Sequence, residues 1–191
     1  MKKGTGPSVI VPRVPGLSLR QLLNRDEVVV NALAAAAREL RRVHHVHCSR
    51  YEAAWSHGDL HLDNIMYDAT SDRAVLIDFD TRHDFRLSHT HRHCDDLRVM
   101  LLELIALPDV QWRQAATALI EEYHEASVLE ELDRQLVVPH GFAKILWHVR
   151  TGGAPTRHVE QRLQSVRTII QRVTAQDGEH SNDCRTVDDR A

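Results

Sequence analysis

The sequence lacks three features that would place it in a class at once: a strong net charge, paired cysteines and a long apolar run. Its formal net charge is −3, from 24 basic and 27 acidic side chains, so no one-sided field favours a nucleic-acid or anionic-membrane partner. The three cysteines, Cys48, Cys94 and Cys184, contain no CxxC pair, which favours a reducing compartment over a disulfide framework. We therefore expect a cytoplasmic protein.

No apolar stretch is long enough to cross a bilayer. The longest, over residues 28–37, is interrupted by Asn31 and followed by charged residues, whereas a spanning helix needs about 20 apolar residues. The run over residues 9–14 is short and contains Pro12, so no secretory signal is indicated. With 191 residues and 42% hydrophobic content, the chain can bury one sizeable core.

Hydrophobic periodicity predicts an α+β fold that is mostly helical. Residues 8–11 predict a short strand, and Ser18 is placed to cap a short helix over 19–23. Two β-prone segments, 64–67 and 74–77, flank a turn-forming cluster and predict a hairpin. Further helices are predicted over residues 26–47, 95–107, 110–128, 129–136, 140–148 and 157–173. We expect a flexible start over 1–7, one lobe over 8–173 and a disordered polar tail over 174–191.

Three polar residues flank the predicted hairpin in a pattern that suits phosphoryl transfer. Asp59 precedes Asn64 by five residues, and Asp78 follows the second strand. Antiparallel pairing would return Asp78 to the edge from which Asn64 leaves. Phosphoryl transfer needs a carboxylate that accepts the proton of the acceptor hydroxyl, and oxygen ligands that hold Mg²⁺ against the phosphates. Asp59 suits the first task, and Asn64 and Asp78 suit the second.

The same residues carry a family resemblance. H-G-D-L-H-L-D-N at 57–64 and I-D-F-D at 77–80 resemble the motifs of protein-kinase-like phosphotransferases. The similarity is greatest to the small branches: kinases of aminoglycosides, choline and lipopolysaccharide core sugars, and small atypical protein kinases. The resemblance implies the large lobe of that fold, with a β-hairpin beside the catalytic loop, and ATP and Mg²⁺ as cofactors.

The resemblance also implies individual roles. Asp59 would be the catalytic base and His57 would support the loop backbone. Asn64 and Asp78 would bind nucleotide-bound Mg²⁺, and Asp80 would either aid the metal or cap a turn. Asp96, which opens an Asp-Leu pair after the second motif, is similar to the aspartate that anchors the catalytic loop from below.

Residues 10–19 resemble the hinge between the two kinase lobes, where backbone groups near Pro12 and Val14 would meet the adenine edge. No glycine-rich loop and no strand lysine precede this hinge, so the small lobe is expected to be missing. Three alternatives remain open: an active enzyme, an enzyme completed by a separate small-lobe chain, and a non-catalytic binding or regulatory module.

Two departures separate the chain from ordinary protein kinases. Asp96 follows Asp78 by 18 residues, which leaves no room for a long activation segment regulated by phosphorylation. His61 stands where serine/threonine protein kinases usually have lysine and small-molecule kinases often have histidine. Both features favour a hydroxyl acceptor on a sugar or other small molecule, with an atypical serine/threonine protein kinase as the alternative.

A run of alternating histidines lies in the predicted loop over residues 81–93. In an extended backbone, His89, His91 and His93 would share one face, which could bind zinc or nickel. Metal sites usually draw their ligands from separate elements, so we favour a solvated loop or an acceptor contact. The earlier histidines, His44, His45 and His47, are interpreted as residues of a helix end.

Overall fold

The computed structural model describes residues 13–25, 29–49, 52–138 and 156–183. Its helices are α1 Leu19–Leu23, α2 Val30–His44, α3 His89–Leu104, α4 Asp109–Tyr123, α5 Ala126–Gln135 and α6 Thr156–Asp183, with a 3-10 turn at Leu62–Asn64. Its strands are β1 Leu17–Ser18, β2 His47–Cys48, β3 Ala53–Ala54, β4 Ile65–Asp68 and β5 Arg73–Leu76. The predicted α+β, mostly helical class is confirmed.

The hairpin predicted around the turn cluster is present as β4 and β5. The strands are antiparallel, with Ile65 opposite Leu76 and Asp68 opposite Arg73, and β1 adds to the free edge of β4 to give the order β1-β4-β5. Strands β2 and β3 form a second antiparallel pair, which was not predicted because each strand has only two residues.

Helix α2 forms the centre of the core. Its buried face carries four alanines together with Leu33, Leu40 and His44, and it packs mainly against α4, which contributes the buried Ala115 and Ala116. Small side chains on both helices permit a close approach of their backbones. Helices α3, α5 and α6 complete the core on one side, and the β4–β5 hairpin packs on α2.

The predicted cap of α1 is confirmed. The Ser18 hydroxyl accepts a hydrogen bond from Gln21 N at 3.2 Å, and Gln21 Oε1 accepts one from Ser18 N at 3.1 Å. This reciprocal capping box satisfies two backbone donors at the helix start. It fixes the point at which β1 passes into α1.

The prediction of a loop through His93 was wrong. Helix α3 begins at His89, because the Ser88 hydroxyl caps it by accepting a hydrogen bond from His91 N. The three histidines therefore do not share one face. His93 is buried and bonds Trp55 O, whereas His91 Nδ1 lies 3.3 Å from Glu131. The polar residues of this stretch were predicted to be solvated. Some of them, such as His93, are instead buried against residues that are distant in the sequence.

Other helix boundaries shift by a few residues. Helix α2 ends at His44, and α4 ends at Tyr123, where His124 adopts a left-handed conformation with φ 45°. The predicted disordered tail was to begin at residue 174, but α6 continues to Asp183. Helical hydrogen bonding needs no apolar stripe, and the sequence after Val173 has no proline to end the helix.

Some predicted features lie outside the described residues: the strand over 8–11, Pro12 of the predicted hinge and the helix over 140–148. Val14 is described; it is half-buried and lies in the connector that leads into β1. Among the described helices, none has the length and apolar character required to cross a bilayer.

A substitution at Gly16 tests how closely the start of β1 packs against the hairpin. It has φ +96°, and a Cβ there would lie 2.0 Å from Tyr67 O. Gly16→Ala should therefore destabilise the fold by about 2–4 kcal/mol in urea titration, because both the backbone strain and the clash with β4 disfavour alanine. Arg73→Ala, an exposed change in the same sheet, is the control and should alter stability by less than about 0.5 kcal/mol. Equal effects of the two changes would contradict this account of β1.

Candidate functional site

Hydrogen bonds from backbone N–H groups hold the segment that carries Asp59 in place. Asp96, in the second turn of α3, accepts hydrogen bonds from His57 N to Oδ2 at 2.8 Å and from Gly58 N to Oδ1 at 2.9 Å. Two adjacent backbone donors thus share one carboxylate. This is the contact expected from the resemblance for the aspartate below the catalytic loop.

Asp96 is itself buried, with a side chain 1% exposed. Its Oδ2 also accepts a hydrogen bond from His44 Nε2 at 3.1 Å. His44 Nδ1 in turn accepts one from the Tyr123 hydroxyl at 2.8 Å. Three donors therefore satisfy the carboxylate, as a buried charge requires, and they connect the loop to α2, α3 and α4.

His57 joins the loop to the end of the hairpin. The ring is buried, its Nε2 donates to Ile77 O at 2.9 Å, and its Nδ1 accepts from Asp59 N at 3.3 Å. The side chain thus contacts the backbone on both sides of the site. Phe79, which is 52% exposed, packs against this ring with centroids 5.3 Å apart.

Gly58 allows the loop to approach the segment after the hairpin. It has φ +90°, and a Cβ there would lie 3.0–3.1 Å from three backbone atoms of Arg82. A larger residue would have to push the two backbones apart, in a conformation that side chains rarely adopt.

The hairpin brings Asn64 and Asp78 to one edge. Ile77 N donates to Asn64 O at 3.0 Å, so Asp78 directly follows the residue paired with Asn64. Asn64 Nδ2 donates to Asp59 O at 2.9 Å, which leaves Oδ1 outside this bond. Asp78 is exposed and has φ 63°, an uncommon backbone conformation for a residue other than glycine. Asp80 is also exposed.

The Asp59 side chain is half-exposed and lies at ion-pair distance from a histidine. Its Oδ1 lies 2.8 Å from His61 Nε2. On the other side of the ring, His61 Nδ1 lies 2.6 Å from Glu103 Oε1. The other Glu103 oxygen accepts a hydrogen bond from Leu62 N at 3.0 Å.

Segment 77–88, between the hairpin and α3, is fixed by two further side chains. His83 bonds the Ser56 hydroxyl at 3.0 Å and Asp95 at 3.2 Å. Arg92 is buried and donates to Leu87 O at 2.9 Å and to Ala54 O at 2.8 Å. The side chains of His83 and Arg92 thereby hold the segment against β3 and α3.

Asp95 remains ionised in this setting. Burial would raise the pKa of its carboxyl, but hydrogen bonds and charge from His83 and Arg98 oppose this and lower it to about 2. An ionised Asp95 is a strong acceptor for the His83 ring, which strengthens the attachment of segment 77–88.

Sequence reasoning missed His44, His83, Arg92 and Glu103, and also Arg20, whose Nη2 lies 2.8 Å from Glu103 Oε2. Two of them carried a signal. His44 follows Leu40 by four residues on the apolar stripe of α2, and Glu103 is a single charge within the run Met100–Leu104. A charged or polar residue on a buried face indicates a specific partner. His83 and Arg92 had no such pattern in the sequence.

The oxygen donors at the hairpin edge suit Mg²⁺. Within the described ranges, no group of three or more His, Cys, Asp or Glu side chains is arranged to hold a metal ion. Mg²⁺ differs from zinc here, because it usually takes one or two protein carboxylates and completes its shell with water and phosphate oxygens. The Asn64 amide and the Asp78 carboxylate fit that smaller demand. The histidines of α3 do not form the zinc or nickel site considered above.

Two buried histidines support the loop as neutral rings. His44 and His93 stack with centroids 3.8 Å apart and an interplanar angle of 4°. Burial lowers the pKa of His44 despite its bond to Asp96. Burial and the neighbouring His44 lower the pKa of His93 to about 3. Protonation of either ring would place an additional positive charge in this packed region.

Comparison of the chain with protein-family models, curated proteins and solved structures finds no match in any of the three. The functional argument therefore rests on the motifs and on the geometry described above.

Asp96→Asn should destabilise the protein by about 2–4 kcal/mol in urea titration. The amide keeps the shape but has one acceptor oxygen, so its NH₂ group must face a backbone N–H or the His44 ring. Asp63→Asn, at a side chain 64% exposed, is the matched control and should have almost no effect. If Asp96→Asn unfolds at the same urea concentration as the wild type, this carboxylate does not support the loop.

Acid should destabilise the fold through His93 and His44. Their folded-state pKa values lie below the ordinary value of 6.5, that of His93 at about 3, so the unfolded chain binds more protons below about pH 6.5 and stability falls as the pH falls, down to about pH 3 for His93. Each group contributes up to about 1.4 kcal/mol per pH unit. Urea titrations from pH 7.5 to 4 should show a smaller slope for His93→Gln than for the wild type. The exposed His45→Gln should retain the wild-type slope, and an unchanged slope in His93→Gln would contradict the assignment.

Proposed function

We propose that the chain is the large lobe of a protein-kinase-like phosphotransferase, which transfers the γ-phosphate of ATP to a hydroxyl group on a sugar or other small molecule with Mg²⁺ as cofactor. The single observation that carries this proposal is the hydrogen-bonded path through the candidate site. Asp59 O accepts from Asn64 Nδ2, and Asn64 O accepts from Ile77 N, the residue before Asp78. One continuous backbone arrangement therefore relates the three groups that the reaction needs.

Asp59 is the group best suited to be the base. Its carboxylate is 41% exposed, so an acceptor hydroxyl can reach it, whereas Asp96 is buried and fully engaged. The backbone on its N-terminal side is fixed by Asp96 and His57. A fixed backbone with an accessible carboxylate supports a role in which Asp59 orients the hydroxyl and takes its proton as the phosphoryl group arrives.

Asn64 and Asp78 are the groups best suited to the metal. A bound Mg²⁺ would neutralise charge on the phosphates and orient them for in-line transfer. Asn64 offers its amide oxygen, since its Nδ2 is engaged by Asp59 O. Asp78 offers a carboxylate at an unusual backbone angle, φ 63°, and such conformations are concentrated at functional sites. Asp80 lies nearby in the chain and is a possible additional donor in this proposal.

The acceptor class rests on segment 77–88. His83 and Arg92 hold this short segment in place with existing side chains, so it needs no phosphate to order it. A fixed, short segment suits a small acceptor better than a protein substrate that must be gated. His61 occupies a position at which small-molecule kinases often have histidine, and it supports that choice.

A non-catalytic nucleotide-binding or regulatory module is the second candidate. Lysines occur only at positions 2, 3 and 144, so the described part of the chain contains none. A lysine that orients the phosphates is a recurring part of kinases. This observation favours binding without efficient transfer, or transfer only with a separate small-lobe chain.

Calorimetry of ATP binding tests the metal assignment. The wild type should bind ATP at least about tenfold more tightly with Mg²⁺ than with EDTA, and Asp78→Ala should remove most of this difference, because the carboxylate is a ligand of the bridging ion. Asp68→Ala, at the turn end of β4 in the same hairpin, is the control and should bind as the wild type does. Equal and metal-independent heats for wild type and Asp78→Ala would contradict the site.

Asp59→Asn separates the two candidate functions. For an enzyme, this variant should bind Mg²⁺-ATP within about threefold of the wild type yet lose phosphate transfer, because a base acts mainly in the transition state. For a binding module, neither protein transfers phosphate, and both bind. Comparable losses of binding and turnover in Asp59→Asn would contradict its role as base.

A further inference from the structure

His61 lies between two carboxylates, one of which belongs to the candidate base. Its Nε2 is 2.8 Å from Asp59 Oδ1, and its Nδ1 is 2.6 Å from Glu103 Oε1. The contact with Glu103 is a hydrogen bond, and the contact with Asp59 is an ion-pair distance. An ionised carboxylate only accepts hydrogen bonds, so with Glu103 ionised Nδ1 is the donor in that bond. The ring then bridges α3 and the candidate base.

Glu103 provides a firm support for this ring. Its side chain is 12% exposed, its Oε2 accepts from Leu62 N at 3.0 Å, and Arg20 Nη2 of α1 lies 2.8 Å from the same oxygen. Both carboxylate oxygens are thus engaged, by groups from two parts of the chain: Arg20 of α1 and the adjacent residues His61 and Leu62. The Glu103 side chain, held in this way, has little rotational freedom.

Asp59, in contrast, lies in a half-exposed position. An isolated carboxylate there would sample several side-chain orientations. The ion-pair contact from His61 lies at Oδ1 and leaves Oδ2 outside the pair, so the two oxygens of the candidate base are not equivalent.

We propose that His61 is a positioning residue for the base: supported by Glu103, it holds Asp59 Oδ1 so that Oδ2 faces the proton of the acceptor hydroxyl. This inference rests on the proposed phosphotransferase function and assigns a role to two residues outside the predicted catalytic set. His61 acts through Asp59 and does not itself take part in proton transfer. Its loss should therefore reduce the rate of transfer more than the affinity for nucleotide.

The test measures ADP release from Mg²⁺-ATP with choline, an aminoglycoside, an aldohexose panel and lipopolysaccharide as acceptor probes. The best acceptor is then used for kcat and KM, or water when no probe exceeds it. The variants are His61→Ala, His61→Gln, which restores one side-chain N–H donor, and Glu103→Gln, which removes the charged support. His45→Ala is the matched control, since His45 is an exposed histidine that lies 3.5 Å from Glu125 and makes none of the contacts described for the candidate site.

We expect His61→Ala to lower kcat by about 10- to 100-fold, as small misplacements of a reacting group can do, with KM for ATP within about threefold. His61→Gln should recover at least part of the lost kcat, Glu103→Gln should give an intermediate loss, and His45→Ala should match the wild type. Thermal melts check that each variant is folded. A merely structural role would not give a kcat loss at constant KM that a side-chain amide reverses.

The outcomes separate this inference from the proposed function. If the wild type releases ADP faster than Asp59→Asn but at the same kcat as His61→Ala, the positioning role is wrong and the phosphotransferase proposal stands. If the wild type releases no more ADP than Asp59→Asn, no base is at work, and both are overturned. A loss in His61→Ala that His61→Gln does not reverse at all also overturns the positioning role, provided the melts show both variants folded.

Discussion

The arrangement of the candidate site depends on one buried carboxylate. Asp96 accepts hydrogen bonds from His57 N, Gly58 N and the His44 ring, and so connects the loop that carries Asp59 to α2 and α3. A buried anion is costly unless its oxygens are satisfied, and here the satisfied state exists only when the loop adopts this conformation. Burial lowers the pKa of His44 despite its bond to Asp96, and burial with the neighbouring His44 lowers the pKa of His93, so this stacked pair is neutral beside the carboxylate.

Around Asp96 the backbone is fixed, whereas the carboxylates of the candidate site remain accessible. Asp96, His57 and the close approach of Gly58 to Arg82 fix the chain around the site, while the hairpin sets Asn64 beside the residue that precedes Asp78. The carboxylates of Asp59 and Asp78 remain exposed or half-exposed at that edge. Accessible carboxylates on a fixed framework meet what the catalysis by positioning that we propose would require. The contacts of His83 and Arg92 extend the framework to segment 77–88, so its order does not depend on a modification.

Much of the local structure could be predicted because its causes are local. Ser18 followed by Gln21 predicts a capped helix, and the turn cluster over 68–72 between β-prone segments predicts the hairpin; both are present. The trio of Asp59, Asn64 and Asp78 could be proposed because the hairpin relates them. The start of α3 was misplaced by six residues or more, since a His- and Arg-rich stretch looks solvated until its partners are known. Those partners, such as Trp55 O for His93, lie far away in the sequence, as does Glu103 from His61.

We propose that Asn64 and Asp78 hold one nucleotide-dependent metal ion beside Asp59, the candidate base. The most direct test is paramagnetic broadening of assigned backbone amide signals by Mn²⁺ in place of Mg²⁺, with and without ATP. The account predicts that Mn²⁺ and ATP together broaden the signals of residues 59, 64 and 77–80 most strongly, and that Mn²⁺ alone has a much weaker effect there. Broadening centred elsewhere on the chain, or broadening at these residues that is independent of ATP, would contradict it.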